Sequence, residues 1–147
     1  MAKSFDELKD NVINNFNNLG NTSCKLFDYI GKIESISESN RLDSEYNELY
    51  SMYRDLLDKA IISHDVKEFM KRYKVLDSIL DKVIKDSEEC KSLSINYILY
   101  LDKIEELKKE IDKLVLVYNE SVDNYNNKKQ GLFSKKVEKE HFDFITL

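Results

Sequence analysis

The chain has no proline in 147 residues and only three glycines, Gly20, Gly31 and Gly131. Proline removes a backbone donor and clashes with the preceding turn, and glycine leaves the backbone loose, so these are the residues that interrupt helices. Apolar side chains recur every seven positions along nearly the whole length, the spacing at which helices bury a common seam. The combination predicts an all-α fold, an elongated antiparallel bundle of four helices whose first and last members are long.

Ser4 and Glu7 have the spacing of a capping box and predict the start of the first helix. Phe5, Val12, Leu19, Leu26 and Ile33 then lie seven apart. That frame survives Gly20-Asn21-Thr22-Ser23, so one helix with a weak middle is expected, ending near Ser39-Asn40. A glycine there costs about 1 kcal/mol, which a packed face offsets. The second helix is expected from Leu42 to Ile62, with rows Leu42, Leu49, Leu56 and Tyr46, Tyr53, Ala60. Ser63-His64-Asp65 forms the next corner, with Asp65 and Glu68 at N-cap spacing. It either separates two helices or bends one. The third helix runs from Val66 to Lys85 on Phe69, Leu76, Val83 and Tyr73, Leu80. Ser87–Ser94 reads as a connection, with Ser92 or Ser94 as the next cap. The fourth helix runs from Ile95 to Asn127 on Tyr97, Ile104, Ile111, Tyr118 and Tyr125. Residues 1–127 thus form the bundle. Residues 128–147 form a basic, aromatic tail, with Gly131 as a breaker or cap, that packs on the bundle or extends from it.

The net charge of -5 disfavours nucleic acid as a general partner. The one basic stretch, Lys128 to Glu140, holds five lysines against two glutamates. Cys24 and Cys90 are far apart and lack the spacing of a disulfide framework or a zinc site, which favours a reducing compartment and a cytoplasmic location. The Asn-x-Ser sites at Asn21 and Asn119 carry no weight without a secretory signal, and no such signal opens the chain. The longest apolar run, Leu114 to Tyr118, is about five residues, against ~20 for a spanning helix.

Tyr118-Asn119-Glu120-Ser121-Val122-Asp123-Asn124-Tyr125-Asn126 resembles a segment of the bacterial LemA family, in which a Tyr-Asn pair, a small residue and Val precede a second Tyr-Asn. Gly131-Leu132-Phe133 and Phe142 resemble that family's closing Gly-Leu-Phe and aromatic pair. Near the other end, Phe16-Asn17-Asn18-Leu19 and Phe27-Asp28-Tyr29-Ile30-Gly31-Lys32-Ile33 are similar to the family's Trp-x-Asn-Ile and Tyr-Asp-Leu-Ile-Pro-Asn-Leu stretches. Gly31 stands where the family has proline, and Ser87-Glu88-Glu89-Cys90-Lys91 replaces a loop with Tyr-Pro. Family members commonly begin with a membrane-spanning helix, which this chain does not show. The resemblance implies a helical bundle with a long first helix and supplies no reaction.

The residue chemistry points the same way. His64 and His141 read as a corner residue and a tail residue, and Cys24 as a small buried side chain. Glu138-Lys139-Glu140-His141 is a single Glu-x-x-His, whereas a carboxylate-metal bundle needs paired copies on facing helices. Glu105, Glu106 and Glu110 interleave with Lys108, Lys109 and Lys113 as a solvated face. Tyr118, Asn119, Tyr125 and Asn126 repeat at seven and are expected to fix bundle register by hydrogen bonds, with a polar ligand groove as the alternative. Leu132, Phe133, Lys135, Lys136 and Phe142 are the partner-binding candidates in a tail that otherwise covers the end of the bundle. The expectation is a non-enzymatic scaffold or protein-interaction module, without cofactor or metal, that contacts a protein partner or itself. The alternative is a peripheral membrane-surface protein using the tail. A metal-dependent bundle enzyme ranks last.

Overall fold

The computed structural model describes residues 4–36, 44–88, 95–131 and 142–147. They form four helices, α1 (Phe5–Ile36), α2 (Ser44–Ile62), α3 (Val66–Asp86) and α4 (Ile95–Gly131), and a C-terminal segment, residues 142–147, without regular secondary structure. At 1.5 Å per residue α1 and α4 reach about 48 and 55 Å, and α2 and α3 about 30 Å. The expected ends near Ser39-Asn40 and Leu42, and the caps Ser92 and Ser94, lie outside the described residues. α4 runs on past Asn127 to Gly131, so the expected boundary between bundle and tail falls inside a helix.

Local sequence accounts for the ends. Ser4 Oγ accepts from the Glu7 amide at 3.1 Å, satisfying one of the orphan donors of the first turn. α2 and α3 are separate. The Asp65 amide donates to Ala60 O at 2.8 Å and the His64 amide to Ile61 O at 3.2 Å, the two bonds that close a Schellman turn. His64 takes the left-handed conformation there, φ 54°, where glycine is usual. The next residue starts α3 at once, Asp65 Oδ1 accepting from the Glu68 amide at 3.1 Å.

Contacts along the helices fix an up-down-up-down order. Phe5 meets Tyr125, Phe16 meets Tyr118 and Tyr29 meets Tyr100, so α4 descends along the whole of α1. Phe16–Phe69 and Phe27–Tyr73 run α3 parallel to α1. Arg54 bonds Asp28 across the antiparallel pair α1–α2. Lys108 comes within 3.9 and 3.6 Å of Asp77 and Asp81 of α3, a solvent-accessible ion-pair contact between α3 and α4. The Tyr97 hydroxyl donates to Ile84 O at 3.1 Å and accepts from Ser87 Oγ at 3.2 Å, tying the end of α3 to the start of α4.

Every member of the α1 row from Val12 to Ile33 is fully buried, as are Tyr97, Tyr118 and Tyr125 of α4. α2 departs from expectation in part. Ala60 of the expected rows is buried, but Leu57 and Ile61 carry the core beside it, and Leu49 and Leu56 are only half buried. Gly20 explains the shift. A Cβ there would lie 2.8–3.0 Å from Ile61 Cγ1, Cγ2 and Cδ1, so the missing side chain lets α2 press Ile61 onto α1.

Candidate functional site

The α2–α3 hairpin is shorter than the α1–α4 pair and turns at His64, level with Phe16. Below that level the α1–α4 pair has no hairpin against it, and the C-terminal segment fills the place. Residues 142–147 lie along α4 and run opposite to it, from Tyr125 toward Tyr118 and Asn119. Phe142 packs edge-on to Tyr125 at 5.0 Å and tilted to His64 at 5.3 Å, while the His64 ring stacks on Phe16 at 4.1 Å. Phe142 is 7% exposed and Ile145 1%.

A segment outside helix and sheet has no regular ladder of backbone partners, so its amides and carbonyls need others. Asn119 supplies two of them. Its Oδ1 accepts from the Ile145 amide at 2.8 Å and its Nδ2 donates to the Ile145 carbonyl at 2.9 Å. The Tyr118 hydroxyl donates to Asp143 O at 2.8 Å. Burial and the nearby Asp143 charge raise the Tyr118 phenol above its ordinary pKa, so it stays a donor.

This geometry corrects two expectations. Tyr118 and Asn119 bond the C-terminal segment and not a facing helix, so they dock a strap where bundle register was expected. Tyr125 is buried against Phe5 and Phe142, and Asn126 is half buried. Phe142, named as a partner contact, packs instead into the chain's own core, in line with the favoured reading of the tail as a cover for the bundle. Leu132, Phe133, Lys135 and Lys136 lie outside the described residues, as do Cys90 and His141.

A second polar cluster sits between α1 and α2. Arg54 bonds Asp28 at 3.2 Å and Asp58 at 2.5 Å, and the Cys24 thiol donates to Asp58 at 3.4 Å. Burial, and to a lesser degree the Asp58 carboxylate, pushes the Cys24 thiol up to about 12, against relief from Arg54. The thiol is therefore protonated at neutral pH and is a poor nucleophile and metal ligand there. His64 is half buried in aromatic surroundings. Among the described residues no three His, Cys, Asp or Glu side chains gather as metal ligands. None of the helices described is long and apolar enough to cross a membrane.

The outward face of α4 is what the inward rows concealed. Ile95, Leu99 and Leu116 are 75, 56 and 70% exposed, and Ile98 and Val117 are also open. Single exposed apolar residues are ordinary on any protein. Here five occupy one helix, in two groups 18 residues apart, five whole turns and therefore the same side. In the sequence these residues stand off the row of Tyr97, Ile104 and Ile111 as two short apolar groups parted by charged positions, a pattern with no continuous apolar period of its own.

The chain matches no protein-family model, no curated protein and no solved structure.

Proposed function

We propose that this chain is a non-enzymatic, LemA-like helical module that binds protein through the outer face of α4. The single observation that carries the reading is the pair of exposed apolar groups on that face, Ile95-Ile98-Leu99 and Leu116-Val117. A helix with apolar residues on both sides buries one in its own core and gains by covering the other. The likeness to the LemA family rests on the segments quoted above and adds no chemistry. The cytoplasmic setting in this proposal rests on the cysteine spacing alone.

A photo-crosslinking residue placed at Leu99 or Leu116 in the source cell tests the reading, with exposed Lys74 on α3 as control. Protein adducts are expected from the two α4 positions and not from the control. Their absence at both positions would remove the proposal. The membrane-surface alternative has lost Phe142 to the core and keeps the basic stretch after Lys128. Flotation with anionic vesicles, with and without residues 128–140, separates it from protein binding.

A further inference from the structure

We infer that the occupant of the α4 face is a second copy of this chain, packed antiparallel about a two-fold axis that crosses the helix between Leu107 and Lys108. The inference rests on the proposed binding role of this face and names its partner. Exposed positions along the face alternate at intervals of four and three, from Ile95 and Leu99 to Leu116 and Glu120, the spacing of a coiled-coil seam about 38 Å long. In an antiparallel pair, positions equally far on either side of the axis meet. Leu99 then meets Leu116 of the second copy, Asp102 meets Lys113 and Glu106 meets Lys109, and the two-fold repeats each pair. Ile95 packs on the stem of Glu120. Two apolar layers thus flank a centre of four opposite-charge contacts.

The charges choose both direction and register. A parallel pair in register would set Asp102 against Asp102 and Lys109 against Lys109. Sliding the antiparallel pair one heptad sets Lys109 against Lys113 in one direction and Asp102 against Glu106 in the other, and each slide separates the leucines. Only the unslipped antiparallel pairing joins leucine to leucine and acid to base, which is how charged seams exclude wrong partners. On the flanks Lys103 lies beside Glu110 of the second copy, and Glu105 beside Asp112, one favourable and one unfavourable contact. Glu106 already holds Lys103 of its own helix at 3.3 Å and can keep it at the rim. α4 sits at a corner of the bundle against α1 and the edge of α3, and Asp102, Glu106, Lys109 and Lys113 are all exposed.

Charge exchange tests the pairing on the full chain. One variant carries D102K and E106K, the other K109E and K113E. Each alone makes all four central contacts repulsive, and an equimolar mixture makes all four attractive again. In sedimentation equilibrium at up to about 100 μM, the parent is expected to dimerise, each variant to dissociate at least about tenfold more readily, and the mixture to recover the dimer. Unchanged helical circular dichroism will show that the exposed substitutions leave the fold intact. A monomeric parent overturns the inference, and so do variants that dimerise like the parent or a mixture that does not recover. Crosslinks from Leu99 and Leu116 to other proteins, with a monomeric parent, overturn the self-pairing alone. No crosslinks of any kind remove the binding role as well.

Discussion

Asn119 acts on Ile145 as a neighbouring strand would, giving and taking one backbone hydrogen bond through a single side chain. Asp at this position keeps the acceptor and loses the donor, and Ala loses both. Asn119→Ala should therefore cost about 1–2 kcal/mol, because two backbone groups of a half-buried segment lose their partner. Asn119→Asp should cost less at the Ile145 amide. Hydrogen exchange at that amide checks the pair of variants, with strong protection in the parent and none in the alanine form. The sequence displayed Tyr118-Asn119 and its repeat plainly. It did not display the partner, which lies 26 residues onward beyond the end of the helix. Periodicity reports which side of a helix a residue occupies and says nothing about an irregular segment packed against it. Cys24 teaches a related lesson. Its place beside the apolar stripe was readable from spacing, whereas the Arg54, Asp28 and Asp58 groups around it come from tertiary packing. Native protein should react with iodoacetamide at Cys24 far more slowly than a free thiol at pH 8, and unfolding in denaturant should restore the ordinary rate, read by mass spectrometry.

The two internal glycines of α1 have opposite uses. Both lie inside a continuous helix, and both cost about 1 kcal/mol of helix propensity relative to alanine. Gly31 is exposed, and an added Cβ would meet nothing within 4 Å. Gly31→Ala should stabilise the chain by about 0.5–1 kcal/mol. At Gly20 the same methyl group would press into the branched side chain of Ile61 at 2.8–3.0 Å, where two of the three atoms sit directly on its Cβ. Overpacking of this kind costs about 1–3 kcal/mol and outweighs the propensity gain. Gly20→Ala should therefore destabilise, and the same change should cost far less in an Ile61→Ala background, which removes all three atoms. Urea denaturation of the parent, the three single variants and the double variant checks both signs. The caps at Ser4 and Asp65 were legible because they are local, set by two residues three apart. The purpose of Gly20 was hidden because the distance between two helices has no signature in either one.

At the scale of the molecule, the bundle's tolerance of alkali follows from where its weak acids lie. Cys24 stands between α1 and α2, Tyr50 on α2, Tyr73 on α3 and Tyr118 on α4. Burial raises the pKa of each, and neighbouring carboxylates, including Asp77 and Asp112 at Tyr73, add to it. A raised pKa in the folded chain means that folding favours the protonated form. The stability this contributes is complete below the unfolded value, 9.0 for the thiol and 10.0 for the phenols. It is lost as pH climbs through that value toward the folded one, because the unfolded chain then releases protons that the folded chain retains. Net negative charge works in the same direction, since the chain already carries -5 at neutral pH and gains more as lysines lose their protons. The melting temperature should accordingly stay level between pH 7 and about 8.5 and fall steadily from about 9 to 11. Tyrosinate absorbance in the folded protein should lag behind that of the denatured chain over the same interval. Tyr118→Phe separates the charge effect from the hydrogen bond to Asp143 O. It should lower stability near neutrality, where that bond is lost, and flatten the alkaline decline, where one ionising group is gone. A decline as steep as the parent's in this variant would show that the phenol between α4 and the C-terminal segment has no part in the alkaline transition.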